Sequence, residues 1–166
     1  MADANFTNQI DRRSDEYEEK IVQVSRVSKK TKGGNKIGFS VIAVVGDRKG
    51  KVGVGLGKAP DVSSAIKKGV LAGKKNLVEV PIVNGTIPFE FYIKLGAAKV
   101  LLKPAPPGSG VIAGGAVRSV VSAAGIQNIS SKVLGTKNQA SNVYAAVEAL
   151  RLLSIRYKRE QERKSK

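Results

Sequence analysis

Apolar positions in the first half of the chain fall into a β-branched run, two segments that alternate at a period of two, and one stretch at helical spacing. Residues 20–27 carry Ile21, Val22, Val24 and Val27 in a β-branched run. Residues 37–45 place Ile37, Phe39, Val41, Ala43 and Val45 on one side of an extended segment. Residues 51–58 set Val52, Val54 and Leu56 against Gly53, Gly55 and Gly57. Polar, glycine-containing stretches separate these runs, so the pattern predicts three antiparallel strands joined by two turns. Asp61 then stands as an N-cap ahead of Val62, Ile66, Val70, Gly73 and Leu77, which fall on one helical face.

The second half is read the same way. Val80-Pro81-Ile82-Val83-Asn84-Gly85 has the punctuation of a junction between domains. Strands are predicted over 86–94, 99–103 and 128–134, with a loop over 104–110. A helix of small residues over 112–124 is stopped by Gly125, and a second helix over 142–153 lines up Val143, Val147 and Leu150. The expected fold class is α+β. An N-terminal three-stranded antiparallel sheet plus helix spans 19–82, and a C-terminal α+β domain with a mixed sheet and two helices spans 86–153. Residues 1–18 are polar, acidic and aperiodic and are expected to be a disordered tail; residues 154–166 are expected to be a basic tail.

Charge sharpens this outline. The net charge is +16 over 166 residues, and six of the 13 acids lie in the first nineteen residues. From Lys20 to Arg159 there are 24 Lys and Arg against five acids. Such a body repels itself unless a polyanion screens it. Nucleic acid is the first choice, an acidic membrane surface the second, and a merely soluble basic domain the plain alternative. The stretch 26–36 concentrates the effect: Arg26, Lys29, Lys30, Lys32 and Lys36 surround Val27, Ser28, Gly33, Gly34 and Asn35 with no acid among them. As a hairpin tip it is suited to gripping phosphates. The second turn repeats the theme with Arg48, Lys49 and Lys51, and Lys58 follows. On the helix, Lys67, Lys68, Lys74 and Lys75 form a stripe that is either ordinary solvated surface or a phosphate-facing one.

Composition excludes much chemistry. Without Cys or His, disulfides, thiolate and imidazole metal sites and every Cys- or His-based catalytic centre are ruled out. No metal, cofactor or catalytic residue is expected. No run of ~18 apolar residues predicts a membrane helix, and the chain start lacks the apolar stretch of a signal peptide.

Two glycine patterns invite an enzyme reading. Gly53, Gly55 and Gly57 do not make a dinucleotide loop, since Lys58 stands where the third glycine belongs and no helix opens there. Glycine at every second residue instead bares one strand face for close approach by a packed helix or by a sugar-phosphate backbone. Gly53 and Gly55 are accordingly candidate RNA contacts. Pro104–Ala116 runs a glycine-rich loop toward a helix start and somewhat resembles the phosphate loop of the galactokinase and homoserine-kinase superfamily. Val111 and Ile112 replace the paired serines of that loop, and only Glu90 and Glu148 are at hand for magnesium. The bland alternative is that these glycines allow tight packing on a sheet or on a partner protein.

Four ordered strings carry a closer likeness: residues 26–34 (RVSKKTKGG), 44–59 (VVGDRKGKVGVGLGKA), 97–105 (AAKVLLKPA) and 110–118 (GVIAGGAVR). They resemble the bacterial small-subunit ribosomal protein S-five family over about residues 19–153. The resemblance implies an N-terminal domain akin to double-stranded-RNA-binding folds, a C-terminal α+β domain, and no enzymatic activity. It implies binding to 16S-type small-subunit ribosomal RNA near the neck and near the path by which messenger RNA enters, in a cytoplasmic ribosome. It places Val27, Ser28 and Lys29 where family members are altered in spectinomycin resistance. It also implies contacts with the fourth and eighth small-subunit proteins, the former affecting decoding accuracy, with Gly108, Gly110 and Arg118 at the matching interface. Pro107 stands where the family usually has an acid, which removes any ion pair formed there. No membrane and no small-molecule substrate are implied. The competing readings are the small-molecule kinase using Pro104–Ala116 and a free-standing RNA chaperone.

Overall fold

The computed structural model describes residues 17–165, so the expected acidic tail lies outside the described residues up to position 16. Strands β1 (Glu18–Thr31), β2 (Gly34–Gly46), β3 (Lys51–Ala59) and β4 (Leu77–Glu79) pair antiparallel in sequence order. The sheet has one strand more than the pattern predicts, because β4 is three residues long and alternation cannot declare itself over so few positions. Helix α1 (Val62–Lys75) joins β3 to β4. Asp61 caps it, accepting the Ser64 N–H at 2.8 Å. That backbone bond, and then the Ser64 hydroxyl, hold the Asp61 carboxyl below the usual carboxylate range.

Both faces of this sheet are covered at its base. Val41, Ala43 and Val45 pair across with Gly57, Gly55 and Gly53, and this face lies under α1. A Cβ on Gly53, Gly55 or Gly57 would overlap the carbonyl oxygen of Gly73, Gly69 or Ala65 respectively. Two strand residues advance ~6.6 Å and four helix residues ~6.0 Å, so glycines at every second position of β3 stay in step with Ala65, Gly69 and Gly73 of α1. The opposite face carries Ile42, Val44, Val52 and Val54. These share one core with Val117, Val120, Leu150 and Leu153 of the second half.

In the second half, β5 (Phe91–Leu95), β6 (Ala98–Pro104), β7 (Val111–Ile112) and β8 (Ile129–Val133) form a sheet in the order β5-β6-β8-β7. It is mixed, as expected, since β7 runs parallel to β8. Helices α2 (Gly115–Ala124) and α3 (Gln139–Lys164) complete the fold. Gly125 ends α2 with φ of 88°. The helix starts three residues later than expected because Val111 and Ile112 are drawn into the sheet. Likewise the strand expected over 86–94 begins only at Phe91, since Asn84 and Gly85 turn the chain with φ of 52° and 75°. Val83 and Thr86 close that turn with reciprocal backbone bonds of 2.9 and 3.0 Å, the two-residue geometry that Asn-Gly favours.

The expected basic tail is a continuation of α3. Leu153 and Ser154 are still buried. Beyond them Tyr157 lies 6.1 Å from the Phe89 ring, and the Arg156 guanidinium sits 5.1 Å over that same ring. Lys158 reaches Glu79 of β4 at 3.7 Å. The helix outlives its apolar stripe because these contacts tie it to the segment linking the two halves.

A backbone seam joins the halves. The N–H groups of Arg48 and Gly50 donate to the last carbonyls of α2, Ala123 at 3.0 Å and Ala124 at 2.9 Å. Those acceptors would otherwise be orphans of the helix end. Gly46 and Gly125 let the two backbones meet: a Cβ on Gly46 would overlap the Ala123 carbonyl, and one on Gly125 the Arg48 carbonyl. Gly85 adds a second clamp, its carbonyl accepting from Gln127 at 2.9 Å and Asn128 at 3.0 Å. The expected junction is therefore a fixed joint.

Candidate nucleic-acid interface

The third strand ends where Ala59 pairs with Phe39, but β1 and β2 continue together through five further rungs, Val27↔Gly38 to Thr31↔Gly34. A two-residue turn, Lys32-Gly33, closes the ribbon. Thr31 Oγ1 donates to the Gly34 carbonyl at 2.8 Å, and Gly34, with φ of 124°, occupies a conformation that side chains avoid. The hairpin tip that the sequence presents is a paired ribbon projecting past the sheet, a rung rising ~3.4 Å.

Pairing sorts its side chains. Arg26, Ser28 and Lys30 stand with Asn35, Ile37 and Phe39 on the α1 side. Lys29 and Lys36 face each other across one rung of the other side, with Lys58 further along it opposite Ser40. Like charges directly opposite destabilise a ladder. Six ion pairs join acids to cations among the described residues, and none involves a cation between Arg26 and Lys36. Among the described residues, no carboxylate answers the cations of this ribbon.

The other predicted contacts divide. Lys67, Lys68 and Lys75 are exposed on the outer side of α1, Lys67 and Lys68 toward the ribbon because Ala65 overlies Gly57 while Gly73 overlies Gly53. Lys74 is half-buried and pairs with Glu19 at 2.9 Å. Lys51 is exposed and sits across from Glu79 in the ladder. Arg48 and Lys49 expose their side chains, yet the Arg48 N–H belongs to the seam. Asp47 Oδ1 accepts the Lys49 N–H at 2.7 Å and the Lys51 N–H at 2.9 Å, and the Arg48 guanidinium bonds Glu18, Nη2 to Oε1 at 2.8 Å. That hydrogen bond, with the attraction of Arg48 and Lys20, holds the Glu18 carboxyl below its ordinary value despite the opposing effect of burial. Gly53 and Gly55 require a correction. Both are buried against α1, so the bare strand face admits a helix and leaves no room for a sugar-phosphate backbone.

The glycine-rich loop also departs from a phosphate cradle. The N–H groups of Gly108 and Gly110 donate to Asn128 Oδ1 at 3.0 and 3.1 Å, and β7 intervenes before α2 begins. Donors that a kinase would turn to phosphate are occupied inside the protein. Asn128, only 7% exposed, is the residue that sequence reasoning misses; nothing in its spacing distinguishes it from a strand-edge asparagine. Gly108 and Gly110 hold φ of 88° and 68°, and Arg118 donates to the Val111 carbonyl at 3.3 Å. Gly108 and Arg118 are exposed and Gly110 half-buried, and the Arg118 bond to Val111 ties the first turn of α2 to the residue after Gly110.

Among known proteins, the ribosomal protein S5 N-terminal domain matches residues 17–81 and the ribosomal protein S5 C-terminal domain residues 93–163. The small ribosomal subunit protein uS5 of Thermotoga maritima is 53% identical over 139 residues, 84% of this chain and 78% of that protein. The uS5 of Chloroflexus aurantiacus is 53% identical over 135 residues, 81% and 76% of the two chains. That of Thermosipho africanus is 50% identical over 153 residues, 92% of this chain and 87% of its own.

Proposed function

The chain belongs to the ribosomal protein S5 family, and from that premise we propose that its projecting ribbon grips small-subunit ribosomal RNA of the 16S type. The protein is a structural constituent of the small ribosomal subunit rather than an enzyme. Within that role, the observation that carries the reading is the Lys29↔Lys36 rung on a ribbon that has no carboxylate partner among the described residues. Arg26, Lys30 and Lys32 extend the same field around the tip, while Lys67 and Lys68 widen it along α1. RNA duplexes are recognised through shape, phosphates and 2′-hydroxyls, which suits a cationic ribbon with few aromatic groups.

The experiment is a salt titration of the full chain binding small-subunit RNA. Replacing Lys29, Lys30 and Lys32 together with Ala should flatten the plot of log K against log salt by about 0.9 for each phosphate that the variant no longer neutralises. A slope unchanged in the triple variant removes the ribbon from the interface.

Finer partners belong to the same proposal. The segment carrying Gly108, Gly110 and Arg118 is read as the contact with the neighbouring fourth small-subunit protein, because glycines in left-handed conformations offer bare backbone to a partner. Contact with the eighth protein, proximity to incoming messenger RNA and residence in cytoplasmic ribosomes complete it.

A further inference from the structure

At the root of the ribbon β3 turns away through Ala59 and Pro60, while β2 runs on with one edge unpaired from Gly38 to Gly34. The step leaves a notch of about 510 Å³ that wraps around this edge, within the size range of clefts that take small ligands. Its two sides differ in kind. On one, Ile37 is 42% exposed beside half-buried Phe39, whose partner across the ladder is Arg26, and exposed Pro60 lines the step between the sides. On the other are Lys29, Lys36 and Lys58, which the register sets on one face together with exposed Val27. Gly38 keeps the floor low: a Cβ there would crowd the Ala59 carbonyl at 3.2 Å.

Lysines alone would hold a phosphate on an open surface, and an apolar wall alone would suit any greasy partner. Together, on two sides of one strand edge, they match a ligand that is apolar and flat at one end and anionic at the other. We propose that this notch holds one unpaired nucleotide of RNA, its base against Ile37, Phe39 and Pro60 and its phosphate on Lys36 and Lys58. The inference rests on the RNA reading of the ribbon and adds to it a place where a base, and not only the backbone, is felt.

The probes are an RNA duplex with a single bulged adenosine and the same duplex with an abasic bulge, which keeps every phosphate. The full chain should bind the adenosine bulge about fivefold tighter, the lower end of what a stacked base contributes. Ile37→Ser should abolish that preference and leave the salt slope intact, Ile37→Leu should keep it, and Lys36→Ala with Lys58→Ala should flatten the slope. Ile37 is exposed on the ribbon, so these variants leave the core untouched. Equal binding of the two duplexes with a steep salt slope overturns the notch and leaves the phosphate grip standing. Weak binding of both with a flat slope overturns the RNA reading itself, and the notch with it.

Discussion

Strand β2 has a turn at each end, and the two turns look alike in composition: Lys32-Gly33 at one end, Asp47-Arg48-Lys49-Gly50 at the other. Their jobs are opposite. Around the first, no Cβ added to Gly33 or Gly34 would meet anything within 4 Å, and no cation finds a carboxylate among the described residues. At the second, Asp47 organises the backbone, Glu18 holds Arg48, and two N–H groups finish helix α2. The first turn meets nothing else among the described residues; the backbone of the second is an internal fastener, with the Arg48 and Lys49 side chains exposed. The difference lies in two acids, Asp47 and Glu18, and in what the backbone meets, and net charge alone does not reveal it.

The largest expected effect sets glycine against glycine. Gly125→Ala forces a side chain into the Arg48 carbonyl at a left-handed position, and should cost about 3 kcal/mol in urea unfolding of the full chain. Gly33→Ala should stay within about 0.5 kcal/mol; comparable losses at both would erase the distinction between fastener and probe. Next, Asn128→Ala leaves the Gly108 and Gly110 N–H groups without their acceptor and should cost about 1–3 kcal/mol. That places the glycine-rich loop with the fastener; unchanged stability would return its donors to the pool available for a ligand. Smaller again, Lys32→Ala should flatten the salt dependence of RNA binding by about 0.9 while Lys49→Ala leaves it alone. Equal flattening would make the second turn an RNA contact after all. The smallest effect is acidic. Because Glu18 titrates below its unfolded value, its contribution is present above the ordinary carboxylate pKa and lost as pH falls through the lowered one. Protection of the Arg48 and Gly50 amides, corrected for the intrinsic pH dependence of exchange, should therefore fall on acidification, and Glu18→Gln should remove that change.

Much of this molecule is legible in its sequence, and the failures share a cause. A β-branched run locates β1, period-two alternation locates β2 and β3, Asp61 marks the start of α1, and Gly125 marks the end of α2, because each reports a local backbone preference. The single apolar face read from Ile37 to Val45 is half the truth. Ile42 and Val44 are buried equally, since the second half of the chain covers the face that local pattern assigns to water. The same blindness to tertiary cover explains why Gly53 and Gly55 invite an RNA backbone when α1 fills its place. It also hides α3 beyond Leu153, whose support comes from Phe89 and Glu79. In the candidate site, the cations of the ribbon are evident as a run without acids. Their sorting onto two faces, and the notch beside Ile37, come only with the register.

The seam has a consequence for how the polypeptide is made. Arg48 and Gly50 are synthesised well before Ala123 and Ala124, so the first half must wait for its cover. During that interval Ile42, Val44, Val52 and Val54 form an apolar sheet face open to water, the kind of surface that aggregates or recruits chaperones. A nascent chain halted just after β4 should therefore stick to such holdases, and one released after α3 should not.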